Sequence, residues 1–364
     1  MKKRKFMVVS GFLGSGKTTS MIQFADYLYH QDKKAAIISN DLGAKNLVDA
    51  IYTSLAGCCS TAMPGECICY TTEALVDKIK RLSDVEHADL VMSDIPGCGV
   101  GALDHVYFKL NREYPDDFEL APFTVVCDPE RLRAIMPEHA DINLPEEMNY
   151  LFRTQLLEAD VIVLNKIDTI TEEEKKKCVE FLNEEYKDIP VFTISAREKS
   201  GIGELVDYLM THQARLVDVD TGYGGEEFCA AEAKLSWYDC RFFVKKSEQF
   251  DGNQFVEDYT EVIRKKIKEN GKNIPHLKIY LSSVEEETDF AKVSLVGIDY
   301  EIEHDHKLEK AYEKYTCTVN VRAACESDLL GVLMKEALDE MKEKYGLECR
   351  VYATECFGMM DEGA

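Results

Sequence analysis

The chain has 364 residues, 45% of them hydrophobic and 30% charged, enough for two domains that each bury a core without disulfide staples. A formal net charge of −24 argues against nucleic acid and anionic membrane surfaces as partners, because phosphates repel an acidic surface that lacks a basic patch. Thirteen cysteines, a basic start cut short at Ser10-Gly11 and no apolar run long enough for a membrane helix point to a cytoplasmic chain. In that compartment thiols stay reduced, so clustered cysteines suggest metal or redox chemistry over disulfides.

In chain order, residues 6–10 read as a buried strand and 18–29 as a helix. Further apolar strands fall at 35–39, 90–93, 123–127, 161–164 and 191–194, with helical patterns at 71–82, 149–158, 171–186 and 201–215. Near-continuous apolar strands alternating with helices predict a doubly wound α/β domain with a mostly parallel sheet over 1–215. Four acids and three glycines in Val217–Glu227 predict a linker at 216–227. Beyond it, over 228–364, strands at 234–245, 276–282, 290–297, 315–323 and 348–355 and helices at 254–269 and 326–345 predict an α+β ferredoxin-like C-terminal domain.

Between the first strand and the first helix stands Gly11-Phe12-Leu13-Gly14-Ser15-Gly16-Lys17-Thr18-Thr19. This is the P-loop spacing in the place where it can work. Glycines let backbone N–H groups of Gly14, Ser15, Gly16, Thr18 and Thr19 turn toward phosphate oxygens, and the helix N-terminus adds partial positive charge. Lys17 would reach the β- and γ-phosphates, and the Thr18 hydroxyl would hold Mg²⁺. Asp94-Ile95-Pro96-Gly97 ends a strand and matches the acidic element that completes a magnesium shell, with the Gly97 N–H reporting the γ-phosphate. Asn165-Lys166-Ile167-Asp168 follows another apolar strand and has the guanine-reading pattern. The Asp168 carboxylate accepts from guanine N1–H and the 2-amino group, and adenine offers neither donor. Ser195-Ala196 would supply the remaining loop under the base, so the nucleotide is expected to be GTP.

With these elements in this order, the chain resembles the CobW/HypB/UreG group of P-loop GTPases, most of all its CobW-type metallochaperone branch. The motifs above carry that resemblance, together with Asn40-Asp41-Leu42-Gly43, Cys67-Ile68-Cys69 and the run from Arg153 to Asp168. It implies a SIMIBI-type G domain and a client metalloprotein, with a homodimer as one possible assembly; because no arginine finger is evident in cis, GTP hydrolysis is expected to be slow without a partner. Asp41 and Asp94 stand where the family usually has Glu; Asp41 is the expected carboxylate for magnesium and for orienting the attacking water, beside Lys17 and Asp94. The family's metal loop is Cys-x-Cys-Cys, whereas here Tyr70 takes the last place and Glu66 replaces a usual glycine.

Soft thiolates select zinc, copper(I) or iron–sulfur over magnesium. Cys67 and Cys69 make an incomplete site, which Cys58 and Cys59 would complete across the Pro64-Gly65 turn, with Cys98 as a further candidate. The expected metal is Zn²⁺, with cobalt, nickel and iron as alternatives; structural cysteines are the competing explanation. A second group, Glu301-Ile302-Glu303-His304-Asp305-His306, places two histidines on one face of an extended segment, although a solvated loop suits it better. The expected function is a GTP-hydrolysing switch that delivers a metal or metal cofactor. A chaperone of a corrinoid- or nickel-dependent enzyme, a GTP-regulated thiol or iron–sulfur sensor, and a signalling GTPase with structural cysteines are the alternatives.

Overall fold

The computed structural model describes residues 3–41, 48–65, 67–96, 99–137 and 146–358. It falls into two compact units, Met1–Leu42 with Asp49–Phe228, and Gly43–Val48 with Cys229–Ala364. The first unit alternates strand and helix as its apolar runs dictate: β1 (Arg4–Ser10), α1 (Lys17–Tyr29), β2 (Ala35–Asp41), α2 (Val48–Leu55), β3 (Cys59–Pro64), α3 (Thr72–Asp84) and β4 (Leu90–Asp94). A π-helical turn (Leu103–Phe108) then runs into α4 (Lys109–Glu113), followed by β5 (Phe118–Leu120), β6 (Thr124–Cys127), α5 (Pro129–Arg133) and α6 (Glu146–Glu158). The unit continues with β7 (Val161–Leu164), α7 (Glu172–Glu185), β8 (Val191–Thr193) and α8 (Ile202–Thr211).

The sheet is parallel, in the order β3-β2-β4-β1-β6-β7-β8, with β5 also pairing β1. From β1 the chain moves first toward β2 and β3, then crosses to β6, β7 and β8. The reversal opens a crevice at the carboxyl end of β1, the place where open α/β sheets bind ligands. One face is closed by α1 and α8, whose Met21, Phe24, Leu28, Leu205 and Leu209 pack on Met7, Val9, Ile37, Met92 and Val163.

Two strands, β3 and β5, have no counterpart in the sequence pattern. At the sheet edge β3 is only half buried, so Cys-Ser-Thr-Ala-Met-Pro needs no continuous apolar run. The stretch 216–227, expected as a linker, belongs to the first unit. Tyr150 donates its hydroxyl to the Thr221 carbonyl at 2.6 Å, the Tyr223 ring lies 4.6 Å from that of His105, and α9 (Glu226–Glu232) begins there. Aromatic anchoring of this kind outweighs a Gly- and Asp-rich composition.

The second unit contains β9 (Ser236–Phe250), α10 (Gly252–Glu269), β10 (Asn273–Ser283), β11 (Phe290–Leu295), β12 (Glu303–His306), β13 (Tyr312–Ala324), α11 (Ser327–Tyr345) and β14 (Glu348–Gly358). Its antiparallel sheet runs β12-β11-β10-β13-β9-β14. Without β11 and β12 this is the ferredoxin-like arrangement, two split βαβ halves with α10 and α11 on one face. Alternate residues of the strands, among them Phe242, Ile279 and Val319, meet Phe255, Tyr259 and Ile263 of α10 and Met334 and Leu338 of α11.

The acid-histidine group is not a loop: Glu303–His306 form β12 at the sheet edge. A register shift opposite Lys292 and Val293 separates its two histidines. His304 lies 4.0 Å from Glu257 of α10, while His306 stacks on Phe290 at 4.0 Å and contacts the Phe290 carbonyl through Nδ1 at 2.8 Å. They do not share a face.

Candidate nucleotide site

The end of β1 sets the site. Gly11 has φ 136° and lies so close to β6 that a Cβ would sit 2.0 Å from the Val126 carbonyl oxygen. Gly16, with φ 91°, leaves the room that a Cβ would take from Asn165 Nδ2, 2.3 Å away. Between them the loop curls back, Ser15 N–H donating to the Phe12 carbonyl at 3.2 Å. Lys17 Nζ donates to the carbonyls of Gly11 at 2.6 Å and Phe12 at 3.1 Å, which holds the ammonium within the loop. The Ser15 hydroxyl is buried with no hydrogen-bond partner among the described residues. A buried, unpartnered hydroxyl in a glycine cradle at a helix N-terminus fits a phosphate group.

Asp94 ends β4 directly beside Val9 of β1, which places its carboxylate next to the P-loop. Thr18 and Asp94 are both buried. A hydroxyl and a carboxylate are the hard oxygen donors that Mg²⁺ takes, so this pair suits that ion. The Asp41 backbone ends β2, while its side chain, Gly97 and Cys98 lie outside the described residues.

The Asn165–Asp168 turn is tied to the glycine-rich loop by one side chain. Asn165 donates through Nδ2 to the Ser15 carbonyl at 2.9 Å and accepts through Oδ1 from Ala196 N–H at 3.0 Å. Ser195 Oγ donates to Asp168 Oδ1 at 2.6 Å and accepts from Glu198 N–H at 2.9 Å. Lys166 adopts a left-handed φ of 60°, uncommon for a residue with a side chain and typical of binding turns. Asn165, Lys166, Asp168, Ser195 and Ala196 therefore form one continuous loop pair. The Gly16→Ala variant is expected to displace Asn165 and to weaken nucleotide binding more than about tenfold. Titration with a fluorescent GTP analogue checks this; an unchanged affinity would show that the Asn165 link is dispensable.

The four predicted thiols are not brought together. Cys59 starts β3 and Cys67 follows its end, so the two lie a strand apart, roughly 16 Å along the sheet. Cys58 packs against the core beneath α1, where burial and then the charge of Asp26 push its thiol up. Cys67 and Cys69 do meet. Tyr70 N–H donates to the Cys67 carbonyl at 2.9 Å, closing a turn that puts both thiols on one side. The Cys69 thiol is held well above its ordinary range by its hydrogen bond with Cys67, then by burial and by the charges of Cys67 and Glu158. Tyr70, where a third cysteine would stand, is exposed and hydrogen-bonded to the Tyr223 hydroxyl. Among the described residues no group of three or more His, Cys, Asp or Glu side chains is placed to hold one ion.

Three side chains gain roles that motif spacing leaves unassigned. Asn40, buried at the end of β2, receives its place from bonds to Asp94, Met63 and Ile68. Glu158, at the end of α6, accepts from Gly101 N–H at 2.9 and 3.0 Å and from Leu103 N–H at 3.4 Å. Gln155 Nε2 donates to the Gly99 carbonyl at 3.1 Å. Together Glu158 and Gln155 pin Gly99–Leu103, downstream of the strand-end Asp94.

A glycine-rich loop after a central parallel strand, a strand-end acid beside it and an Asn-Lys-x-Asp turn joined to it define a P-loop nucleotide-binding domain. The chain belongs to the CobW/HypB/UreG family, whose nucleotide-binding domain matches residues 5–192. It is similar to the zinc chaperone YeiR of Escherichia coli (strain K12), 28% identical over 173 residues, 46% of this chain and 48% of that protein. The match thus spans about half the length of that relative. Among solved structures, HypB from Helicobacter pylori in complex with nickel is 17% identical with a TM-score of 0.41, covering 56% of this chain and 85% of that one. The Zn(II)-bound YjiA GTPase from E. coli is 14% identical with a TM-score of 0.35, covering 93% and 99%. No helix among the described residues is long and apolar enough to cross a membrane.

Proposed function

We propose that this protein is a GTP-hydrolysing metallochaperone that carries a soft divalent ion, zinc first, on Cys67 and Cys69 and passes it to a client metalloprotein. The observation that carries this reading is the paired thiol turn standing at the same end of the sheet as the P-loop, after β3 and beside β2. Structural zinc sites close with four protein ligands. Two thiolates leave positions open for water or a client's ligands, which suits cargo that must leave. The similarity to a zinc chaperone supports zinc over nickel, cobalt or iron.

GTP would lie with its phosphates over Gly14–Thr19 and its base over Asn165–Asp168 and Ser195-Ala196. Magnesium, when bound, neutralises charge on the β- and γ-phosphates; Thr18 and Asp94 would hold it. Lys17 would bring its ammonium to the phosphates, and Asp41 would orient the attacking water. Hydrolysis by the isolated chain would be slow, with the client speeding it. The double variant Cys67→Ser/Cys69→Ser is expected to lose zinc affinity by more than about 100-fold while still binding GTP. Zinc titration against a competing chelator, alongside GTP turnover, checks both. Equal zinc affinity in variant and wild type would end the cargo assignment.

A further inference from the structure

We infer that Asn40 is the positioning residue through which the nucleotide site sets the geometry of the thiol pair, an inference that rests on the metallochaperone reading above. Asn40 is 4% exposed and faces three ways at once. Its backbone N–H donates to Asp94 Oδ1 at 2.6 Å. Its side-chain Nδ2 donates to the Met63 carbonyl at 2.8 Å, at the end of β3. Its Oδ1 accepts from Ile68 N–H at 3.0 Å, and Ile68 is the residue between the two cysteines.

The chemistry of an amide explains the residue type. The side chain must donate to a carbonyl on one side and accept from an N–H on the other, a few ångströms from the backbone. A carboxylate could accept from Ile68 but not donate to Met63, and would add a second negative charge beside Asp94. Alanine would do neither. The sheet gives the connection its stiffness: β2 pairs β4 as far as Ile38–Ser93 and β3 as far as Asp41–Pro64, so Asn40 is held in the last residues of β2, beside the ends of both neighbouring strands. A shift of Asp94 on taking or losing magnesium moves the Asn40 backbone, and the planar amide carries that movement to the turn Cys67–Tyr70. Packed, hydrogen-bonded elements respond to such sub-ångström shifts by switching between discrete arrangements.

The bond to Asp94 comes from the Asn40 backbone, so Asn40→Ala leaves it in place while removing the side-chain bonds to Met63 and Ile68. Zinc affinity is therefore measured at saturating non-hydrolysable GTP analogue and again at saturating GDP, in wild type and in Asn40→Ala. Within each protein the ratio of the two affinities reads the coupling, so any change in nucleotide affinity cancels. The wild-type ratio is expected to be about tenfold or more, and the Asn40→Ala ratio to fall to about twofold or less. A ratio unchanged in Asn40→Ala overturns the inference and leaves the metallochaperone reading standing. Zinc affinity indifferent to nucleotide in wild type overturns the switch and this inference together.

Amide hydrogen exchange in the wild-type protein supplies a test that needs no variant. Ile68 N–H is expected to exchange at rates that differ between the two nucleotides. Identical protection at Ile68 in both, with differences elsewhere near Asp94, also overturns the inference.

Discussion

Asp168→Asn is expected to lower GTP affinity by roughly 10²–10⁴-fold and to turn the protein toward XTP. In the proposed base site the carboxylate would accept two hydrogen bonds from guanine, and bonds to a charged group contribute about 1.5–3 kcal/mol each. An amide keeps one acceptor for N1–H but turns a donor toward the 2-amino group, which converts an attraction into a clash of hydrogens. Xanthine has a carbonyl at that position, so the same amide pairs with it. The local structure should survive the change. Ser195 Oγ donates to Asp168 Oδ1, an oxygen the amide retains, and Asn165 holds the loop independently through Ser15 and Ala196. Titrations of GTP, XTP and ATP against wild type and variant decide the matter. A wild type that binds ATP as well as GTP, or a variant that keeps its GTP affinity, would remove Asp168 from the base site.

What could be read in the sequence follows from how local each signal is. Gly11, Gly16 and Lys17 announce a phosphate loop because the backbone conformation itself demands glycine there, and β1 behind it is a continuous apolar run. The Asn165–Asp168 turn is equally local. Cys58 and Cys59 misled because β3 is invisible as a pattern: an edge strand that is only half buried needs no apolar alternation, so two thiol pairs close in sequence read as close in space. The strand between them sets them apart. The histidines of β12 misled in the opposite way, since a period of two predicts a shared face and one register shift cancels it. Asn40 and Glu158 were beyond reach for a third reason. Their partners are 54, 28 and 57 residues away, at positions only the strand order brings together.

The wild type is expected to lose stability as pH rises from about 5 to 8, and Glu158→Gln to flatten that fall. Burial pushes the Glu158 carboxyl up to about 7 from its ordinary 4.5, against the opposing pull of the Gly101 and Leu103 N–H groups. An acid whose folded-state pKa is raised binds its proton more tightly when folded. Between about 4.5 and 7 the folded chain therefore holds the extra proton, and stability declines as pH climbs through that window, by about 3 kcal/mol when complete. Glutamine resembles the protonated acid at every pH and keeps one oxygen to accept from the Gly101–Leu103 loop, so this slope should vanish. Glu232, also held up to about 7 by burial, titrates in both proteins and cancels in the comparison. Calorimetric unfolding of both chains across that pH range gives the difference directly; parallel curves would mean that Glu158 ionises in the folded state as freely as in water. The same residue joins α6 to the loop after the strand-end acid, and its charge disfavours the Cys69 thiolate. Loss of the Glu158 proton thus lowers the stability of the fold and opposes a second negative charge at Cys69, whereas a cation arriving at Cys67 and Cys69 would favour both ionisations together.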